Sequence, residues 1–199
     1  MIGRYLPSSV DEIDTSNISS ARGKESFETV FVTVGTTQFD SLIQVTCSAE
    51  FMEFLNCEFG TNKIVFQIGQ GVMVPDSHGL FTTSTGSEVI IEWFRLRPDT
   101  SDVVKSADLV ITHCGAGSIM DAMRFQKPTL AVVNTNLMDN HQTELAEAMV
   151  EDGPYLFSVG SPDSLLQKMR QCDFSQLKVW TNPNFELFAD EFLSFVAHS

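Results

Sequence analysis

The chain has 199 residues and carries 26 acidic against 12 basic side chains, a formal net charge of −14. That length allows one good-sized domain with its own core, or two very small ones, and 43% hydrophobic against 19% charged residues excludes a disordered chain. The acidic excess excludes general nucleic-acid binding and argues against an unaided hold on an acidic membrane surface, so an anionic ligand would have to rest on backbone N–H groups and helix ends.

Residues 1–26 are Ser-rich and mixed in charge, and lack the apolar run of a signal peptide; they read as a flexible tail. From there short apolar runs alternate with helical stretches. Thr29–Val34, Lys63–Ile68, Val89–Phe94, Asp108–Thr112, Thr129–Asn134 and Tyr155–Val159 are rich in Val, Ile and Phe, the composition of parallel strands covered on both faces. Leu42, Val45, Ala49 and Met52 recur at helical spacing after the first strand. Pro75–Glu88 is a polar, Gly/Ser/Thr-rich loop where a helix would be expected. Ser161-Pro162 and Asn182-Pro183 each pair a capping residue with Pro at the first helical position, the latter opening a C-terminal helix at about 183–197. The alternation predicts an α/β domain over 27–199 with a Rossmann-like, doubly wound, mostly parallel sheet. Cys47, Cys57, Cys114 and Cys172 show neither CxxC nor zinc spacing, which points to a reducing cytosol. No stretch reaches the ~20 apolar residues of a membrane span.

In such a sheet ligands bind at the carboxyl ends of the strands. The fourth predicted strand runs into His113-Cys114-Gly115-Ala116-Gly117-Ser118. Its glycines admit close backbone approach, and a helix from Ser118 onward would aim free N–H groups at a diphosphate; a turn needing glycine for sterics alone is the equal alternative. Met120 stands where G-x-G-x-x-G needs glycine, the second strand lacks the acidic residue of an NAD ribose site, and neither a Walker A motif nor a nucleophile elbow is present. An oxidoreductase is therefore disfavoured. Asp121, three residues past Ser118, can accept ribose hydroxyls or merely complement the helix dipole. His113 can contact phosphate or shape the loop. Asp139-Asn140-His141-Gln142 offers donors and acceptors suited to a sugar, or else caps a helix. No Asp-x-Asp pair or zinc-like cluster is present, so no metal and no resident cofactor are expected. Phe185, Phe188, Phe192 and Phe195 form a stripe that suits either core or a partner surface.

Val30–Ile43, Ala107–Met123, Lys127–Asn134 and Leu137–Met149 together resemble the catalytic subunits of the eukaryotic UDP-N-acetylglucosamine transferase of N-glycan assembly, themselves similar to the C-terminal half of GT-B glycosyltransferases. The resemblance spans roughly residues 28–196. It implies an inverting transferase subunit that moves GlcNAc from UDP-GlcNAc to GlcNAc-diphosphodolichol, active with a membrane-anchored, acceptor-binding partner. It also implies a cytoplasmic chain recruited to the cytosolic face of the endoplasmic reticulum. Gly35, Thr36 and Thr37 would face the diphosphate, and Gly115, Ala116, Gly117 and Ser118 would cradle it, with His113 lining the loop. Asp121 falls at the ribose position, Asp139 and Gln142 at the donor sugar, and Phe94 and Arg95 near the uracil. Cys114 departs from the alanine expected in the loop. No catalytic base is assigned: His113 is one candidate, and supply or positioning of the base by the partner is the other. The alternative is a non-catalytic UDP-sugar-binding regulatory or scaffold protein.

Overall fold

The computed structural model of the chain describes residues 25–75, 79–134 and 156–177. Its elements are β1 (Thr29–Thr33), α1 (Asp40–Thr46), α2 (Ala49–Phe59), β2 (Lys63–Gln67), β3 (Gly79–Thr82), β4 (Glu88–Phe94), α3 (Ser101–Ser106), β5 (Leu109–Thr112), α4 (Ala116–Arg124), β6 (Thr129–Val132), β7 (Phe157–Val159) and α5 (Leu165–Gln171). The strands form one seven-stranded sheet in the order β3-β4-β2-β1-β5-β6-β7. All neighbouring pairs are parallel except β3 with β4. This is the Rossmann-like α/β architecture that the alternation of apolar runs predicts. The predicted C-terminal helix, the Phe stripe, most of the tail, Asp139 and Gln142 lie outside the described residues.

The central strands are apolar on both sides because helices cover both faces. Val30, Val32, Ile64, Phe66, Leu109 and Ile111 enter the larger core, which α1, α2 and α5 close. Phe31, Val65 and Val110 point the other way, toward Val103 and Val104 of α3 and Ala122 of α4. Burying each large apolar side chain favours the folded state by ~1.5–3 kcal/mol. At the amino end of β1, Phe27 packs on Phe59 at 5.1 Å and on Phe174 at 5.0 Å, joining the end of α2 to the residues after α5.

Three expectations are corrected by this structure. The 75–88 stretch is not wholly loop: β3 pairs antiparallel with β4, and Thr83–Ser87 forms a hairpin closed by Thr83 N–H to Ser87 O (2.8 Å), with Gly86 at φ +85. Glu53 of α2 accepts from the Ser84 N–H and hydroxyl and so docks the hairpin tip. Because a hairpin rather than a helix joins β2 to β4, one face of β4 stays open, and Glu88, Ile90 and Glu92 are exposed in alternation with buried Val89 and Ile91. Third, the helix drawn through Leu42–Met52 is two helices. Ser48 ends the run and caps the second, accepting from Phe51 N–H, which turns Ala49 outward and Phe51, Met52 and Leu55 inward. Ser161 does start a helix: it forms a capping box with Ser164 around a 3-10 turn at Pro162–Ser164 that runs into α5.

Candidate functional site: two glycine turns at the switch point

The chain leaves β1 toward β2 on one side and returns to β5 on the other, so strand order reverses between β1 and β5. The crevice beyond their carboxyl ends is where an open α/β sheet binds ligands. Both candidate loops open there.

After β1, Thr37 N–H closes a turn onto Val34 O (3.1 Å), and the Thr37 hydroxyl donates to the same carbonyl (2.9 Å). Gly35 takes the first central position at φ +58, a backbone conformation that L side chains rarely adopt. Below it lies a buried polar anchor. The Thr33 hydroxyl donates to Gln67 Oε1 (2.6 Å) while accepting from Gly35 N–H (3.0 Å). Thr36, at the turn's apex, is exposed.

After β5, Cys114 takes φ +61, an uncommon value for a residue with a side chain. Gly115 is the N-cap of α4 at φ −82. The helix thus begins at Ala116, two residues before the predicted start. Ala116, Gly117 and Ser118 occupy its first three positions, whose N–H groups have no intrahelical acceptor. This shift moves Asp121 into the second turn, and no acidic residue occupies the first. The dipole explanation of Asp121 falls away accordingly.

His113 sits between the two turns and is only 6% exposed. A Cβ on Gly35 would come within 2.9 Å of its Cε1, and one on Gly115 would stand under 3.0 Å from Nε2 and Cε1. Both glycines are needed because an imidazole fills the space a side chain would take. Burial lowers the His113 pKa, with the Thr33 carbonyl partly opposing, so the ring is neutral at pH 7. The geometry makes His113 a spacer beneath the turns. Gly117 is different: a Cβ there meets nothing within 4 Å.

Burial pushes the Cys114 thiol up to about 12, which makes it a packed, unreactive group. Asp121 is half-buried on α4. Burial raises its pKa, Arg124 opposes and Asp99 of the β4–α3 loop adds to the rise. Phe94 is committed to packing: it stacks on Phe31 at 6.3 Å and lies under the Arg97 guanidinium. Arg95 is exposed, and its guanidinium donates to Gly71 O (2.8 Å). Gly35, Thr36, Thr37, His113, Gly115, Ala116, Gly117 and Ser118 are therefore brought together at one crevice.

The β2–β3 loop is part of the same edge, and motif reading did not assign it. Gly69, at φ +53, packs against the carbonyls of Thr37 and Gly35, and Gln70 N–H donates to Thr37 O (3.0 Å). The available signal was Gly69-Gln70-Gly71 directly after a strand. Clefts of about 360 Å³ beside α3 and about 410 Å³ between α1 and α5 lie away from the glycine turns.

Residues 29–185 match the glycosyltransferase family 28 C-terminal domain. The chain is 31% identical to the UDP-N-acetylglucosamine transferase subunit ALG13 of Cryptococcus neoformans over 176 residues, 76% of this chain and 84% of that one. It is 37% identical to the human ALG13 subunit over 124 residues, 62% of this chain but only 10% of the human protein, so it spans about a tenth of that relative's length. The solution structure of an ALG13 superposes with a TM-score of 0.59 at 26% identity, covering 87% of this chain and 98% of that one. The fold also matches Acinetobacter baumannii MurG, with a TM-score of 0.58 at 17% identity over 87% of this chain and 51% of MurG. On the extent of these matches, this chain belongs to the family of ALG13 UDP-N-acetylglucosamine transferase subunits, built on a glycosyltransferase family 28 C-terminal domain.

Proposed function

We propose that this chain is the donor-binding, catalytic subunit of an inverting transferase that moves GlcNAc from UDP-GlcNAc to GlcNAc-diphosphodolichol. The observation that carries the reading is the pair of glycine turns held at the β1/β5 switch point by the His113 ring, beside the amino end of the nine-residue α4. Backbone N–H groups and a helix end suit a diphosphate in a chain of net charge −14, where 12 basic side chains stand against 26 acidic ones. Half-buried Asp121 on the same helix is an acceptor for the ribose diol, and the Arg95 segment borders the base.

On this reading the 4-hydroxyl of the acceptor attacks the anomeric carbon, the bond to the UDP oxygen breaks, and configuration inverts. The Thr36 N–H at the apex of the first turn and the Ala116–Ser118 N–H groups stabilise the charge that develops on the departing diphosphate, the Gly35 and Thr37 N–H groups being used within the turn. The base that takes the hydroxyl proton comes with the acceptor-binding partner, since His113 is buried beneath the turns. That partner is membrane-anchored and recruits the chain to the cytosolic face of the endoplasmic reticulum. Among the described residues no helix is long and apolar enough to cross a membrane.

The test is GlcNAc transfer from labelled UDP-GlcNAc to a short-chain GlcNAc-diphosphate-lipid, by this chain alone and by its complex with the partner. The expected result is transfer by the complex only, with inversion and with an unchanged rate in EDTA. A verified complex that binds UDP-GlcNAc but transfers nothing would leave a regulatory binding protein instead.

A further inference from the structure

The loop between β2 and β3 carries little apolar hold at its tip. Met73 and Val74 pack on the core at the loop's far end, but Val72 is 80% exposed and Gln70 is exposed, so apolar side-chain burial does not fix the Gly69–Val72 tip over the sheet edge. Polar contacts do. Asp40, the first residue of α1, accepts Met73 N–H at Oδ1 (2.8 Å) and the Gln38 side-chain amide at Oδ2 (2.6 Å). The Arg95 guanidinium holds Gly71 O (2.8 Å), Arg95 O accepts Gly69 N–H (3.2 Å), and Thr37 O accepts Gln70 N–H (3.0 Å). Gly71 lies so close to the Asp40 carboxylate that a Cβ on it would stand under 3.0 Å from Oδ1.

This loop touches both parts of the proposed donor site. Through Gly69 and Gln70 it abuts the carbonyls of the Gly35–Thr37 turn, and through Gly69 and Gly71 it grips the main chain and side chain of Arg95. We infer that Asp40 is a positioning residue for donor binding, whose carboxylate holds the Gly69–Met73 loop and thereby sets the spacing between the diphosphate turn and the Arg95 segment. The inference rests on the donor-site reading above and adds a residue that does not itself touch the nucleotide. Desolvation tends to raise the Asp40 pKa, but hydrogen bonds from Gln38, Met73 and Val72 and the nearby Arg95 charge outweigh it, so the carboxylate is ionised at neutral pH. A charged acceptor strengthens each of these bonds relative to a neutral one.

The experiment uses the complex of this chain with its acceptor-binding partner, measuring initial rates against UDP-GlcNAc, inhibition by UDP, and the melting temperature. Asp40→Ala removes the clamp from the helix side, and Gly71→Ala disrupts it from the loop side. In both variants the KM for UDP-GlcNAc and the Ki of UDP should rise together by about tenfold, the loss expected for one hydrogen bond to a charged group. Meanwhile kcat should stay within about threefold, because the loop makes no contact special to the transition state. Asp40→Asn, which keeps an oxygen for Met73 N–H, should recover most of the affinity, and Gly71→Ala carries the readout should Asp40→Ala not fold. Wild-type KM and Ki in Gly71→Ala, and in Asp40→Ala where it folds, alongside a lowered melting temperature, would make the clamp a stability device and overturn the inference. Failure of UDP to inhibit the unsubstituted complex would instead overturn the donor-site reading, so the two failures are read from different proteins.

Discussion

Gly117→Ala separates the requirements of folding from those of the ligand. At Gly115 a methyl group would strike the buried imidazole of His113, so any substitution there confounds the two. At Gly117 the Cβ direction is empty, the residue is exposed, and it lies within the first turn of α4 with ordinary helical geometry. Alanine in a helix is favoured over glycine by roughly 0.5–1 kcal/mol, because glycine loses more conformational freedom on folding. For a chain of this size that gain corresponds to a melting temperature about 1–4 °C higher. The same methyl group projects into the space a diphosphate would need in order to approach the N–H groups of α4. The expected outcome is thus a protein that melts no lower than wild type and whose KM for UDP-GlcNAc rises at least about tenfold, a loss near 1.4 kcal/mol. A thermal scan and initial-rate kinetics on the same preparation give both numbers. Unchanged KM in a stable Gly117→Ala protein would refute the cradle and leave the second glycine as a residue of the turn alone.

Gly69→Ala combines a positive φ with a Cβ overlapping the Thr37 carbonyl, and should lower the unfolding free energy by about 2–3 kcal/mol in urea titration. Gly60→Ala, at φ +73 but with its nearest neighbour the Ser26 hydroxyl at 3.8 Å, should lose only about 1 kcal/mol. His113 is held neutral in the folded state, below the 6.5 of a free imidazole, so the unfolded chain binds the extra proton as pH falls past that value. Its contribution to stability is complete above the pKa of a free imidazole, about 6.5, and declines as pH falls below it toward the lowered pKa of the folded state; His113→Asn should flatten that part of the stability–pH curve. With its pKa near 12 and its side chain buried, Cys114 should resist an aromatic disulfide reagent at pH 8, whereas exposed Cys57 reacts promptly. Rapid labelling of Cys114 in the folded protein would show that the loop opens.

The parts of this protein legible in its sequence are those governed by short-range rules. Runs such as Thr29–Val34 and Asp108–Thr112 are apolar without alternation, which only a strand buried on both faces tolerates. Parallel strands joined by helices then put Gly35 and Gly115 at the same edge of the sheet. Ser161-Pro162 starts a helix for local reasons that hold in any context. Where local signals compete, the sequence is ambiguous. Leu42–Met52 has helical periodicity throughout, yet the Ser48 cap breaks it, because satisfying the free N–H groups of a new helix outweighs continuing the old one. Gly79–Thr82 is too short, and too closely flanked by polar turn residues, to show its pairing, which depends on the register offered by β4.

The sequence by itself determined the fold class, the family and the presence of two glycine turns, since each follows from residue type and spacing along the chain. Only the tertiary structure decided what the glycines are for. Gly35 and Gly115 lie 80 residues apart and are both demanded by one buried imidazole, whereas Gly117 faces open space. Likewise Asp40 reads as an ordinary first-turn acid until the chain returns 33 residues later to place Met73 N–H on its carboxylate. Such roles arise from contacts between strands brought together by the sheet, where the distance that matters is measured in ångströms rather than in residues.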